Sequence, residues 1–183
     1  IAFYTSYEAT AYVGGIAGLS SAGIRSSWAK LTLSGKSSVG GIVGSGSEDT
    51  SSSVGSGCTV TDCRSLVVVE DCDQFSGAIS GRDLGVFRGN YFVSDVLRGI
   101  DRRSLSGQAE PMDYAAFCAL GSVPEDFLSF TLRFVCDGRT LKTLRFDYGD
   151  SFDFSVFPSL TEQSGSYPVW DRTDLTDLRF DTV

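Results

Sequence analysis

A glycine-centred apolar motif recurs along the first half of the chain. The motif VGGIAG (residues 13–18) returns 26 residues later as VGGIVG (residues 39–44), and it returns in weaker form as FSGAIS (residues 75–80). Repeats of this length are typical of proteins whose units stack on one another, and not of one closed core. The pattern therefore predicts successive coils of chain over the first half.

The second interval, from Val39 to Phe75, is 36 residues long, and one insertion accounts for the difference. After the first motif, apolar residues lie at Ile24, Leu31 and Leu33. The corresponding residues after the second motif are Val60, Val67 and Val69, and each lies ten residues further from its motif. The extra residues fall between Ser45 and Ser56, where Ser, Gly, Thr, Glu and Asp predominate. This composition is typical of a solvated loop.

Alternating apolar positions in residues 31–33 and 67–69 predict strands, because a strand turns every second side chain to the same face. Coils stacked about 4.8 Å apart would share backbone hydrogen bonds and align Ile16, Ile42 and Ala78 in one internal ladder. The Gly pairs are interpreted as corners that need positive φ or close backbone approach. A phosphate or dinucleotide loop is not favoured, because the Lys-Ser/Thr ending or following helix is missing.

The pattern changes after the repeats. Residues 85–93 predict a further strand-like run, and residues 100–104 are interpreted as the polar cap of the terminal coil. Helical spacing from Pro111 to Leu120 predicts a short connecting helix, with Pro111 in its first position. Residues 122–126 have the composition of a linker. We therefore expect a β-solenoid over residues 1–109, a helix and linker over 110–126, and a small β-rich, β-grasp-like module over 127–183.

The C-terminal module is predicted to be β throughout. Alternation in residues 130–136 and 141–148, on either side of Asp137-Gly138, predicts a hairpin. The sequence LRFD occurs at residues 144–147 and again at 178–181, which indicates two strands in similar environments. The predicted fold class is accordingly mainly β, with stacked β-helix-like coils, one helix and a small C-terminal module.

Charge and composition exclude several classes of function. The net charge is −8, and residues 1–109 hold ten of the 23 acidic side chains but nine of the 15 basic ones, so the acidity lies mostly in the C-terminal part. An acidic chain repels a phosphate backbone, so we expect no nucleic-acid partner. His is absent, which removes the commonest general base and metal ligand. No apolar run is long enough to insert into a membrane, and we predict no catalytic, cofactor-binding or metal residues.

The five cysteines leave three interpretations open. An odd number means that at least one is unpaired within the chain, and their spacings do not match a common zinc pattern. Cys63 corresponds to Ser27 of the preceding coil, where a small side chain would suit a narrow interior. Buried thiols, disulfides and a metal site all remain open for this set: Cys58, Cys63, Cys72, Cys118 and Cys136.

Two groups of side chains are candidates for binding or catalysis. Aromatic residues near the start of the chain, and Trp170 in the C-terminal module, could stack on sugars, although core packing is the simpler interpretation; the former are Phe3, Tyr4, Tyr7 and Tyr12. Glu70, Asp71 and Asp73 lie close in sequence and would be the carboxylates of a lyase or hydrolase, although adjacent acids are usually solvated. The ligand itself cannot be named from the sequence.

Taken in order, these motifs resemble a known architecture. The two VGGI motifs with Cys63 resemble GLUG-type repeats of secreted bacterial surface proteins, some of which carry immunoglobulin-A-cleaving metallopeptidases. Residues 90–111 are similar to the segment on the C-terminal side of such repeats in wall-associated proteins of gut Gram-positive bacteria. The motifs Asp137-Gly138, YGDS (148–151), residues 157–158 and GSY (165–167) with Trp170 resemble a small module related to internalin-type B repeats. No metallopeptidase zinc motif is present.

The resemblance implies a non-catalytic segment of an extracellular bacterial surface or cell-wall protein, which acts as a stalk or adhesive module. Its expected partners are a host protein or glycan and neighbouring domains of the same long chain. The chain begins at Ile1, just before a repeat, as an internal fragment would. Two alternatives remain: a carbohydrate-binding region of a secreted enzyme, and a β-helix polysaccharide lyase or hydrolase.

Overall fold

The computed structural model describes residues 12–47, 57–160 and 168–183. In this part the chain is mainly β with one α-helix, and it divides into two compact units between Gly121 and Ser122. The helix predicted as a connector belongs to the first unit.

The first unit contains four successive segments of chain. Segment 1 contains β1 (Tyr12–Gly14), β2 (Ala17–Ser20), β3 (Gly23–Arg25) and β4 (Trp28–Ser34). Segment 2 contains β5 (Ser38–Gly40), β6 (Val43–Gly46), β7 (Thr59–Thr61) and β8 (Arg64–Asp71). Segment 3 contains β9 (Phe75–Gly77), β10 (Val86–Arg88) and β11 (Asn90–Val93), and segment 4 contains β12 (Ala109–Pro111).

Strands of successive segments pair in parallel. They form sheets in the orders β1-β5-β9, β2-β6, β3-β7-β10 and β4-β8-β11-β12. The register confirms the sequence alignment, because Ile24, Leu31 and Leu33 lie beside Val60, Val67 and Val69. The ten-residue insertion therefore lies between Gly46, which pairs with Ser20, and Thr59, which pairs with Gly23.

The third repeat is displaced by one residue from the alignment that the sequence suggested. Val39 pairs with Ser76, not with Phe75, and Gly40 pairs with Gly77. The predicted ladder was wrong at Ala78, because the Ile42 N–H donates to the carbonyl of Ile79 at 2.9 Å. A Cβ at Gly77 would overlap the Ser80 carbonyl oxygen, so this position requires glycine.

The core of the first unit lies between these sheets. Ile42 and Ile79 are fully buried, whereas Ile16 in segment 1 is 49% exposed. Buried side chains from segments 1 to 4 form one cluster, which includes Ala29, Val60, Val67, Phe92, Ile100 and Ala109. Each segment therefore contributes inward side chains that are shielded from water chiefly by the neighbouring segments.

A buried asparagine joins three of the segments. The Asn90 amide oxygen accepts a hydrogen bond from the Cys63 N–H at 2.9 Å, and its amide nitrogen donates to the carbonyls of Val60 and Gln108 at 2.8 and 2.9 Å. Because its polar atoms are satisfied by backbone groups, Asn90 can be 1% exposed without the cost of an unpaired buried amide.

The helix α1 spans Tyr114–Cys118 and begins later than predicted. Pro111 ends β12 and pairs with Phe92, and the Asp113 carboxylate accepts from the Ala116 N–H as the helix cap. Phe117 is fully buried and meets the Trp28 ring edge-on at 5.4 Å. The helix thus packs on segment 1 within the same unit.

The second unit contains the predicted hairpin. β13 (Phe130–Cys136) and β14 (Arg139–Phe146) pair antiparallel across Asp137 and Gly138, which have φ of 49° and 72°. These angles suit the tight turns that connect twisted strands. An irregularity beside Phe134 leaves Leu141 as an extra residue in β14, and Leu141 is accordingly 41% exposed.

The prediction of β structure throughout this unit was wrong beyond the hairpin. Residues 178–181 form no strand. Leu178 makes an isolated bridge to Asp150, Thr182 makes another to Leu132 of β13, and Phe154–Val156 is a 3₁₀ helix. Local side-chain hydrogen bonds compete with strand pairing here. The Asp153 carboxylate, for example, accepts from the Ser155 N–H at 2.8 Å.

Candidate functional site

The strand β10 lies at one edge of its sheet, and its free side faces a groove. Segments 1 to 3 each contribute a strand to this sheet, but segment 4 contributes none. The groove has a volume of about 490 Å³ and is lined by residues 85–88 and 106–108. It is shallow and mostly open to solvent, unlike the enclosed pockets that bury most of a small ligand.

The hydrogen bonds of β10 determine which backbone groups face the groove. The Val86 N–H donates to the Cys58 carbonyl at 2.9 Å, and the Arg88 carbonyl accepts from the Asp62 N–H at 3.0 Å. Because the groups of successive residues point to opposite sides of a strand, the N–H and C=O of Phe87 point into the groove. No residue in the described part of the chain forms a hydrogen bond with them.

Two arginines lie in one row on the outward face of this sheet. Arg25, Thr61 and Arg88 are in register on β3, β7 and β10. Arg25 and Arg88 are both exposed, and within the described ranges neither forms an ion pair. Phe87 itself is 3% exposed, so the exposed polar group beside the groove is the guanidinium of Arg88, which could pair with an anionic group.

The acidic residues considered from sequence do not form a cluster of metal ligands. Glu70 and Asp71 end β8 and Asp73 comes two residues after it, and all three are exposed. No group of three His, Cys, Asp or Glu side chains in residues 12–47, 57–160 and 168–183 is arranged to hold a metal ion. Their exposure favours the interpretation that these three acids are ordinary solvated surface residues.

The aromatic candidates are only partly described. Phe3, Tyr4 and Tyr7 lie outside the described residues, and Tyr12 is half-buried at the start of β1. Trp170 meets the Phe134 ring edge-on at 5.5 Å and lies 5.9 Å from the ring of Phe157. These contacts favour a packing role for Trp170 in the core of the second unit.

The cysteines are free thiols in this structure. Cys58 and Cys63 are fully buried, while Cys72, Cys118 and Cys136 are partly exposed. Burial raises the pKa of the Cys58 and Cys63 thiols, because it penalises the charged thiolate. Cys63 lies beside the position of Ser27, as the alignment predicted, and its sulfur is 3.3 Å from the Thr61 carbonyl oxygen.

We expect the cysteines to differ in reactivity. Treatment of the native chain with iodoacetamide should modify Cys58 and Cys63 at least about tenfold more slowly than Cys118 and Cys136, because the thiolate is the nucleophile and requires access. Mass spectrometry of peptides sampled over time measures the rates. In denaturant the four rates should converge, and equal rates in the native chain would contradict the burial of Cys58 and Cys63.

The groove was not predicted from the sequence. Residues 85–93 were interpreted as one strand-like run, whereas the chain turns at Gly89 and divides it into β10 and β11. The one signal was the sequence GVFRG (residues 85–89), in which two glycines bound a short strand. The edge position of β10 cannot be predicted from the sequence, because it depends on the path of segment 4.

The described residues include no helix that is long and apolar enough to cross a membrane. Comparison of the chain with protein-family models, curated proteins and solved structures found no match in any of the three.

Proposed function

We propose that this chain is a non-catalytic segment of an extracellular bacterial surface protein, in which residues 12–111 form a short β-solenoid stalk that presents neighbouring modules. The observation that carries this proposal is the parallel, in-register pairing of successive segments in every sheet of the first unit. A stack of this kind is stiff, and its length increases with the number of repeats.

The first strands of the stack are suited to continuation. Each of β1, β2, β3 and β4 pairs with a strand of segment 2 and lies at the edge of its sheet within the described part. A further coil would cover Ile16 and extend all four sheets in the same direction. The resemblance to GLUG-type repeats supports a location of the stalk at the cell surface, and the B-repeat-like module of residues 127–183 would be one of the units that it presents.

A coil insertion tests the stalk. Tyr12 pairs with Ser38, so residues 12–37 constitute one repeat. Insertion of a second copy of residues 12–37 after Ser37 should give a folded chain whose first unit is longer by about one strand spacing, about 4.8 Å. Small-angle X-ray scattering of the 12–121 region and of the full chain measures the change in maximum dimension.

The control inserts the same 26 residues in shuffled order, which keeps the composition but removes the strand pattern. This variant should lose cooperative unfolding or expose a flexible loop. Equal scattering from the ordered and shuffled insertions would contradict the stacked stalk.

Antibody against the chain should also label intact cells of the source bacterium, and labelling only after lysis would contradict the surface location.

A further inference from the structure

We propose that the outward face of the β3-β7-β10 sheet binds an acidic polysaccharide, whose acid groups pair with Arg25 and Arg88 while the polymer between them crosses Thr61. The inference rests on the proposed surface location for the source of the polymer. It is tested by binding in solution, so it can fail without the stalk failing.

Strand pairing fixes the spacing of the two arginines. Arg25 lies beside Thr61 and Thr61 beside Arg88, so the three side chains leave the sheet on the same face. Parallel strands are about 4.8 Å apart, so the Cα atoms of the two arginines are about 9.6 Å apart. One small anion cannot pair with both guanidinium groups across this distance, whereas a polymer with repeated acid groups can.

The two guanidinium groups are exposed, and in the part of the chain that the structure describes neither has an ion-pair partner. Arg103, by contrast, pairs with Asp83 at 2.8 Å. The acid next to the row is Asp62, which follows Thr61 at the corner, and a Cβ at Gly89 would lie 2.7 Å from its carboxylate oxygen. Asp62 therefore lies over the corner residue and forms no ion pair with Arg88.

The charge of the surrounding region permits an anionic ligand. Residues 1–109 carry nine basic and ten acidic side chains, although the whole chain has a net charge of −8. The first unit is therefore close to neutral, and two unpaired guanidinium groups in one row can determine where an anionic polymer binds.

The size of the face favours a polysaccharide over a protein partner. The three strands have three residues each, so strand rise and spacing give a face of roughly 10 Å by 10 Å. A stable protein partner usually covers about 800 Å² on each side. This face is much smaller, but it is large enough for the few sugars of a polymer that contact a protein from one side.

The groove extends the row beyond Arg88. It is open to solvent and is lined on its far side by residues that include Ser106 and Gln108, whose side chains can form hydrogen bonds with sugar hydroxyls. Between the arginines, Thr61 is half-buried and carries a hydroxyl group. The order of arginine, threonine and arginine matches a polymer in which acidic and neutral sugars alternate.

Binding of a labelled oligosaccharide tests the proposal. The probe is a fluorescein-labelled hyaluronan octasaccharide, in which a uronic acid alternates with a neutral N-acetylated sugar, and fluorescence anisotropy with the full chain measures its affinity. The affinity should fall as salt is added, because exposed charges are screened. A chitin oligosaccharide, which is neutral, should bind at least about tenfold more weakly.

Matched variants locate the site. Arg25→Gln and Arg88→Gln should each weaken binding by about tenfold, because each removes a charge-assisted hydrogen bond. Arg98→Gln makes the same change of charge at an exposed arginine whose backbone carbonyl accepts from the Ala78 N–H, away from this sheet, and should alter the affinity by less than about twofold. Asp62→Asn should strengthen binding by about twofold, because it removes a negative charge beside the row. Circular dichroism verifies that all four variants are folded.

Four outcomes would overturn the proposal. These are no binding of the hyaluronan probe, equal binding of the neutral oligosaccharide, equal effects of Arg98→Gln and Arg88→Gln, and equal or tighter binding of an oligoglutamate peptide of the same charge. The last would show that the face selects charge alone and not a polysaccharide. None of these results changes the scattering expected for the coil insertion, so the stalk is tested separately.

Discussion

Replacing Ile42 by Ala is expected to lower the free energy of unfolding of the first unit by about 2–5 kcal/mol, because Ile42 is fully buried and its truncation leaves a cavity. Ile16→Ala is the matched control, since Ile16 occupies the equivalent position in segment 1 and donates its N–H to the Ile42 carbonyl at 3.0 Å. Ile16 is 49% exposed, so its replacement should cost less than about 1 kcal/mol.

Tryptophan emission can measure the loss of stability in the first unit separately from the unfolding of the second unit. The chain has two tryptophans, with Trp28 in the first unit and Trp170 in the second. In a Trp170→Phe background, emission during urea unfolding reports on the first unit through Trp28. Equal losses for Ile42→Ala and Ile16→Ala would contradict the assignment of Ile42 to an inner segment and Ile16 to the first one.

Gly41→Val should destabilise the first unit by at least about 3 kcal/mol and can prevent its folding, because the added side chain meets rigid backbone. A Cβ at Gly41 would overlap the Ala78 carbonyl oxygen and the Ser65 hydroxyl. φ at Gly41 is not positive, so the requirement for glycine comes from close approach of segments 2 and 3 and not from a left-handed conformation.

The control for this substitution is Gly57→Ala. Among the described residues, the nearest atom to a Cβ at Gly57 is the Ser47 carbonyl oxygen at 3.9 Å, which is ordinary contact, so this change should alter stability by less than about 1 kcal/mol. Thermal unfolding followed by circular dichroism measures both variants. A Gly41→Val chain that unfolds at the temperature of the unmodified chain would show that segments 2 and 3 are not in close contact there.

Several features of the fold could be predicted from local sequence. The alternation around Asp137-Gly138 predicted the hairpin, because turn chemistry and side-chain period act over a few residues. The common displacement of three apolar positions located the ten-residue insertion, and the strand register confirmed it. A repeat can be recognised in this way because equivalent positions pair with equivalent neighbours in successive segments.

The candidate site was not predictable in the same way. Neither Phe87 nor Arg88 differs in sequence from an ordinary strand residue, and the groove exists only because segment 4 passes without adding a strand to the sheet of β10. The acidic and aromatic residues that did attract attention in the sequence lie exposed in solvent, pack in a core or fall outside the described residues.

The sequence by itself determined the mainly β class, the repeat of 26 residues, the insertion and the hairpin, since each depends on a pattern of neighbouring residues. Only the tertiary structure decided that Gly77 pairs with Gly40, that α1 begins after Asp113 and packs through Phe117, and that the edge of β10 is free. Each of these features depends on contacts between parts of the chain that are distant in sequence. Close backbone approach requires glycine at residue 77, another segment covers the ring of Phe117, and no strand of segment 4 pairs with β10.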